Sequence, residues 1–248
     1  MSHLWRDELR VGLCPDRLVV VRRARGWRGQ TSHMVQHVDA DPVRQLRALG
    51  DRANLAIVLS NHFVRYAVLP WSPALKTEAE WAAYAQHAFV SIYGSDATSW
   101  QISLDRRSPG KSRVASAIDA TLLGSLQELP GVVSVKPYLV SAFNARRRAF
   151  DGKPAWFVLQ ERGRVTLALI ADSEWKLVRT RQTHGDWRDA LSDLIDRERE
   201  LAGAVDCQRA FVYAEDEPPA RAGHYQIMDI TLPVGVTSEL RGHAMAFN

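Results

Sequence analysis

The sequence predicts an α/β protein of mixed sheets built as two lobes. Three observations predict it: one element order that occurs twice, a break bearing glycine and proline between the two occurrences, and a globular composition. The chain has 248 residues, 46% hydrophobic and 24% charged, which is enough apolar material to bury a core in one large domain or two small ones. The same composition excludes a disordered or collagen-like chain.

Residues 10–13 and 18–23 read as strands around the Pro15-Asp16 turn, the second carrying the β-branched run Val19, Val20 and Val21. Residues 26–29 form the next turn, and residues 32–38 alternate loosely as a third strand. Asp41 followed by Pro42 reads as a helix cap with proline at the first helical position; Val43, Leu46 and Leu49 make the apolar stripe, and Gly50 stops the helix. Residues 55–59 are then a buried strand, completing β-β-β-α-β. The second half repeats this order. Residues 155–160, 165–171 and 175–181 are strands separated by turns at 161–164 and 172–174. Asp186 caps a helix whose apolar positions are Trp187, Leu191, Leu194 and Ile195, and residues 210–213 supply the following strand.

Between the repeats, residues 77–93 form a helix with Trp81, Tyr84, Ala85, Ala88, Phe89 and Ile92 on one core-facing stripe. Residues 100–104 and 113–118 pair as strands around Ser108-Pro109-Gly110. Asp119 caps a helix bearing Leu122, Leu123, Leu126 and Leu129, residues 132–135 form a strand, and residues 141–150 a short helix. The tail passes Glu217-Pro218-Pro219 to a last strand at 225–231. Asp151-Gly152-Lys153-Pro154 interrupts both periodicities. The predicted division is therefore lobe one at 1–152, with an inserted α/β segment at about 72–130, and a truncated lobe two at 153–248.

Charge is uneven. Residues 1–150 carry 20 basic and 12 acidic side chains, whereas residues 151–248 carry 12 and 16. The basic excess gathers at Arg17, Arg22, Arg23, Arg25 and Arg28, and again at Arg146, Arg147 and Arg148. Such clusters suit nucleic acid, anionic lipid, an acidic protein face or plain solvation. No aromatics interleave with them and no nucleic-acid module is recognisable, so nucleic acid is not the expected partner. Cys14 and Cys207 are too few and too far apart for a disulfide framework or a zinc site, and read as buried thiols in a reducing compartment. The longest apolar runs, at 55–59 and 167–171, fall far short of the ~20 residues that span a bilayer. The charged start Met1-Ser-His-Leu-Trp-Arg-Asp-Glu8 lacks the apolar stretch of a signal peptide, so the expected location is the cytoplasm.

Individual motifs point to no reaction. Gly110-Lys111-Ser112 resembles the end of a phosphate-binding loop, but a strand pattern follows where a helix N-terminus is needed. Neither Ser95 nor Ser125 lies in a nucleophile elbow. His33 and His37, four apart, share a face only on a helix, and their segment reads as strand. Asp193, Asp196, Glu198 and Glu200 alternate with Arg197 and Arg199 as on an exposed helix face.

A duplicated β-β-β-α-β unit is the element order of the ribonuclease-H-like lobe, found twice in the superfamily of actin, sugar kinases and heat-shock-70 proteins. Nucleotide-binding members of that superfamily place glycine-rich turns and an aspartate in the first hairpin of each lobe. In this chain Gly12 stands near the expected carboxylate position, and Pro15 removes an amide donor from the turn. Taking residues 169–175 as the corresponding hairpin of the second lobe, no glycine is present there. Loss of ATP binding is the expectation. A two-metal nuclease is excluded on the same strand, which offers no carboxylate cluster.

The segments Leu18-Val-Val-Val-Arg22, Ile57-Val-Leu-Ser-Asn61, Val64-Arg-Tyr-Ala-Val-Leu-Pro-Trp71, Trp156-Phe-Val-Leu159 and Trp175-Lys-Leu-Val-Arg179 resemble those of the cytoplasmic actin-like proteins of type IV pilus assembly and type II secretion, the PilM and GspL group. Arg65 and Pro70-Trp71 are the most distinctive. The resemblance implies two actin-like lobes acting as a scaffold under an inner-membrane platform, bound to a partner's cytoplasmic peptide or to the assembly ATPase. Pilus members of the group bind ATP, and this chain departs from their phosphate loops. Secretion members continue into a membrane helix; the lack of one here implies a separate membrane partner and a peripheral place at the inner membrane. The expected function is a non-enzymatic scaffold or adaptor, with a nucleotide-binding actin-like ATPase of the same machinery as the alternative. No catalytic, cofactor-binding or metal-ligating residue is assigned, and no cofactor is expected.

Overall fold

The computed structural model describes residues 7–22, 32–37, 42–106, 109–150, 152–203, 207–231, 241 and 244–246, with side chains left aside at 7, 22, 32–37 and 42. Strand β1 (Asp7–Leu13) turns back into β2 (Arg17–Arg22), which pairs with β3 (Ser32–His37). Helix α1 (Pro42–Gly50) then leads to β4 (Ala53–Leu59). Next come β5 (Val64–Leu69), α2 (Glu78–Tyr93), β6 (Trp100–Leu104), β7 (Arg113–Asp119) and α3 (Ala120–Gln127). Strand β8 (Val132–Pro137) and α4 (Tyr138–Arg146) follow. The second half begins with β9 (Ala155–Glu161), β10 (Arg164–Ala171) and β11 (Glu174–Gln182), then α5 (Trp187–Leu201), β12 (Arg209–Ala214), β13 (Arg221–Ala222) and β14 (Tyr225–Asp229).

Two sheets share one plan. The first has the order β3-β2-β1-β4-β8, the second β11-β10-β9-β12-β14-β13. In the first, β1 lies antiparallel to β2 and parallel to β4, and β4 parallel to β8. In the second, β9 lies antiparallel to β10 and parallel to β12, and β12 parallel to β14. The repeated order read from the sequence is thus a repeated topology. A third sheet, β5-β7-β6, is antiparallel throughout.

Burial follows from these pairings. A central parallel strand is covered on both faces and loses polar alternation, and every residue of β9 is buried. Phe157 and Leu159 face one cluster and Trp156 and Val158 another, on opposite sides of the pleat. The first cluster joins Val11, Leu13 and Leu18 to Phe157, Leu159 and Tyr213, so one apolar core runs between the two sheets. The second packs α5 through Trp187, Leu191 and Ile195. The third sheet has its own core, built on Trp81, Ala85 and Phe89 of α2.

Local signals fix the helix starts. Thr77 and Glu80 form a reciprocal capping box on α2, and Asp119 and Asp186 accept backbone N–H groups at the starts of α3 and α5. Three expectations change. Ile92 is 59% exposed, and the last turn of α2 packs on Trp100 of β6 through Tyr93 instead. The helix expected at 141–150 starts at Tyr138 and ends at Arg146, with a short 3-10 turn Arg147–Ala149 after it. Glu198 is fully buried rather than on an exposed face: Arg181 reaches across from β11 and pairs with it at 2.5 Å. Among the described residues no helix is long and apolar enough to cross a membrane.

Candidate functional site

The shared plan identifies corresponding turns. Strands β1 and β9 hold the same place in their sheets, each antiparallel to the next strand and parallel to the strand after the helix. The counterpart of the β1–β2 turn is therefore the β9–β10 turn, Glu161 to Arg164, and not residues 169–175. The latter turn joins β10 to β11, with Asp172 and Ser173 at φ 56° and 59°. The β9–β10 turn does contain a glycine: Gly163 sits at φ 70°, a conformation that costs a residue with a side chain.

These two turns come together with the loop after β4. Ser60 N–H donates to Leu13 O at 3.0 Å, which sets that loop beside the first hairpin. Arg17 and Glu215, at the end of β12, form an ion pair of 2.5 Å. Arg162 and Asp16 form a second, of 2.8 Å. The Glu161 carboxylate accepts Ser60 O–H at 2.5 Å and Asn61 N–H at 3.1 Å. Asn61 Oδ1 in turn accepts Tyr66 O–H at 2.5 Å and Leu139 N–H at 3.4 Å, while a His62 ring nitrogen lies 3.1 Å from Arg162 O. Burial pushes the Glu161 carboxyl up to about 7, against the bonds from Ser60 and Asn61 and with the help of Glu215. Burial likewise raises the Cys14 thiol, which keeps it protonated and unreactive.

The contacts enclose a cavity of about 210 Å³, lined by Cys14, Pro15, Asp16 and Arg17 from the first hairpin and by Ser60, Glu161, Arg162 and Glu215 among others. Behind the hairpin lies the C-terminal segment. Tyr213 O–H donates to Ala244 O at 2.9 Å, Ala246 joins Val19 and Val21 in a small cluster, and the Met245 side chain rests on Gly12. A Cβ on Gly12 would come within 2.7 Å of the Met245 sulfur. Gly12 is thus packed against another part of the chain.

A magnesium-linked triphosphate needs backbone amides, uncommitted cations and room. This lining supplies three carboxylates and a proline, and both arginines are engaged with Asp16 and Glu215. The residues do not fit the phosphates. Among the described residues no group of three or more His, Cys, Asp or Glu side chains is placed to hold a metal ion.

The other motifs are structural. Lys111 Nζ donates to Asp172 O at 3.4 Å and Ser112 O–H to Trp175 O at 2.7 Å, immediately before strand β7. His33 and His37 lie in β3, with side chains outside the described set. Cys14 and Cys207 are buried. Of the arginine clusters, Arg17 is in the ion pair above, Arg146 donates to Ile230 O and Thr231 O, and Arg23, Arg25 and Arg28 lie outside the described residues. Ser60 and Asn61 entered only as the end of the resembling segment 57–61, and Glu161 and Glu215 carried no motif; the usable signal was the positional equivalence of the two hairpins.

Two mixed sheets of this order, with corresponding hairpins facing one another, define the actin-like ATPase fold. Solved structures that share it include the cytoplasmic domain of EpsL, an inner-membrane component of the type II secretion system of Vibrio cholerae, at 10% identity, covering 98% of this chain and 95% of that one with a TM-score of 0.62. The PilM–PilN type IV pilus biogenesis complex matches at 12% identity, 97% and 96% coverage and a TM-score of 0.63. A Bacteroides thetaiotaomicron protein with actin-like ATPase fold and unknown function matches at 8% identity, 98% and 96% coverage and a TM-score of 0.59. No protein-family model and no curated protein matches the sequence. The likeness expected from the sequence to pilus and secretion proteins is found in the fold.

Proposed function

We propose that this chain is a non-enzymatic scaffold or adaptor of a bacterial type IV pilus or type II secretion assembly platform, divided into lobes near residue 152. The observation that carries the reading is the closure of the first hairpin on the second half: Arg162 with Asp16 joins the two corresponding turns, Arg17 with Glu215 joins the hairpin to the end of β12, and both occupy the cleft where a nucleotide-binding relative would hold phosphates. Likeness of fold to the EpsL cytoplasmic domain and to PilM–PilN supports the choice of machinery. In this reading the protein works in the cytoplasm and is held at the inner membrane by a platform protein or by the assembly ATPase.

Affinity capture of the tagged chain from envelope extracts, with mass spectrometry, tests the assignment. Enrichment of an inner-membrane pilus or secretion component, or of the assembly ATPase, is expected. Recovery of none of these contradicts it.

A further inference from the structure

The loop from β4 to β5 carries a second set of contacts, made by two arginines that do not line the cavity. Arg164 Nη1 donates to Asn61 O at 3.3 Å, and Arg65 Nη1 donates to the next carbonyl, His62 O, at 3.1 Å and to Val64 O at 3.2 Å. Successive carbonyls therefore bring guanidiniums from β5 and β10 to one place. Burial, and then the Arg65 charge, lower the pKa of Arg164 against an opposing pull from the Glu161 carboxylate, which makes no ion pair with it; burial, and then Arg164, lower that of His62.

Several other partly buried arginines are neutralised by a carboxylate, whereas Arg146 donates to backbone carbonyls. Arg17 meets Glu215, Arg113 meets Glu78, Arg181 meets Glu198 and Arg241 meets Asp229. Among the described residues no carboxylate pairs with Arg65 or Arg164. The carboxylates of the junction are engaged otherwise: Asp16 with Arg162, Glu215 with Arg17, and Glu161 with Ser60 and Asn61. Arg164 Nε is moreover buried without a hydrogen-bond partner. Two like charges held side by side with donors to spare form a fork that matches an anion geometrically and electrostatically.

We propose that Arg65 and Arg164 form an anion-binding subsite at the junction of the halves, and that its occupant is a carboxylate side chain of an acidic partner segment. The choice of a peptide over a small free anion rests on the scaffold reading above. Planar carboxylates accept two parallel N–H bonds from one guanidinium, and each of Arg17, Arg113, Arg181 and Arg241 has a carboxylate in that place.

Fluorescence anisotropy of the purified full-length chain with labelled hexaglutamate, at low salt, tests the proposal, with hexaglutamine as the uncharged probe. Hexaglutamate is expected to bind and hexaglutamine not. Arg65→Gln and Arg164→Gln each weaken binding about tenfold or more, Arg164→Lys falls between, and Arg148→Gln on the exposed face after α4 changes nothing. Should Arg65→Gln melt at a lower temperature because His62 O loses its donor, the Arg164 pair alone decides. Absence of hexaglutamate binding, equal binding by Arg164→Gln, or binding of pyrophosphate in place of the peptide overturns the proposal. The measurement needs no machine component, so its failure with envelope capture intact removes this subsite only. Failed capture with peptide binding intact removes the machinery assignment only.

Discussion

Arg17 and Glu215 are 198 residues apart in the chain and 2.5 Å apart in space, with side chains 11% and 10% exposed. Their pairing ties the first hairpin of one sheet to the end of β12 in the other, across the cleft between the two sheets. Around it, Glu161 with Ser60 and Arg162 with Asp16 repeat the same connection. The protein's own side chains bridge the junction beside the apolar core, the Arg17–Glu215 pair mostly buried and the Arg162–Asp16 pair exposed.

Removing one member of such a pair leaves the other charge in a poorly hydrated place. Arg17→Ala or Glu215→Ala should each lower unfolding free energy by about 2–4 kcal/mol, whereas Arg17→Ala combined with Glu215→Ala should cost less than the sum of the single changes. Urea titration of the four proteins checks this. Additive losses would show that the two side chains do not stabilise one another.

Glu161 makes stability depend on pH. Its carboxyl is raised from an ordinary 4.5 to about 7, so the folded state favours the protonated form and binds the proton more tightly than the unfolded chain. Its contribution is therefore fully present below about pH 4.5 and is lost as pH rises through about 7, with an amplitude of order 3 kcal/mol. Asp105, raised by burial to about 6, acts in the same sense. Glu161→Gln keeps an acceptor for Ser60 and removes the titration, so it should match the parent at pH 5 and exceed it in melting temperature at pH 8. Parallel melting curves across that interval for parent and variant would contradict the assignment.

Gly12 is set by the tail rather than by a turn. Gly12→Ala places a methyl group against the Met245 side chain at 2.7–3.3 Å and should cost about 1–3 kcal/mol. Adding Met245→Ala should recover part of that loss, because the second change removes the atoms the first displaces. Equal stability of Gly12→Ala and the parent, read by thermal unfolding, would place the tail elsewhere.

Much of the fold was legible because its signals are local. The Val19–Val21 run, the Asp186 cap and the Trp81, Ala85, Phe89 spacing each sit within a few residues, and the duplicated order followed from them. The junction was not, since Ser60 and Glu161 meet across 101 residues and nothing in either neighbourhood announces the other. Residues 169–175 read from the sequence as the corresponding hairpin for a related reason. A three-strand meander has two turns, and only the parallel pairing of β9 with β12 says which strand is central. Glu198 misled in the same way: charges alternating along α5 read as solvated until Arg181 of a neighbouring strand is placed over it.

Equilibrium dialysis of the purified chain against radiolabelled ATP with magnesium addresses the closed junction most directly. With the arginines engaged by Glu215 and Asp16 and with Met245 seated on Gly12, no saturable uptake is predicted up to about 1 mM nucleotide. Stoichiometric binding below that concentration, lost on substitution of Arg17 or Arg162, would contradict the account and return the chain to the nucleotide-binding members of its fold.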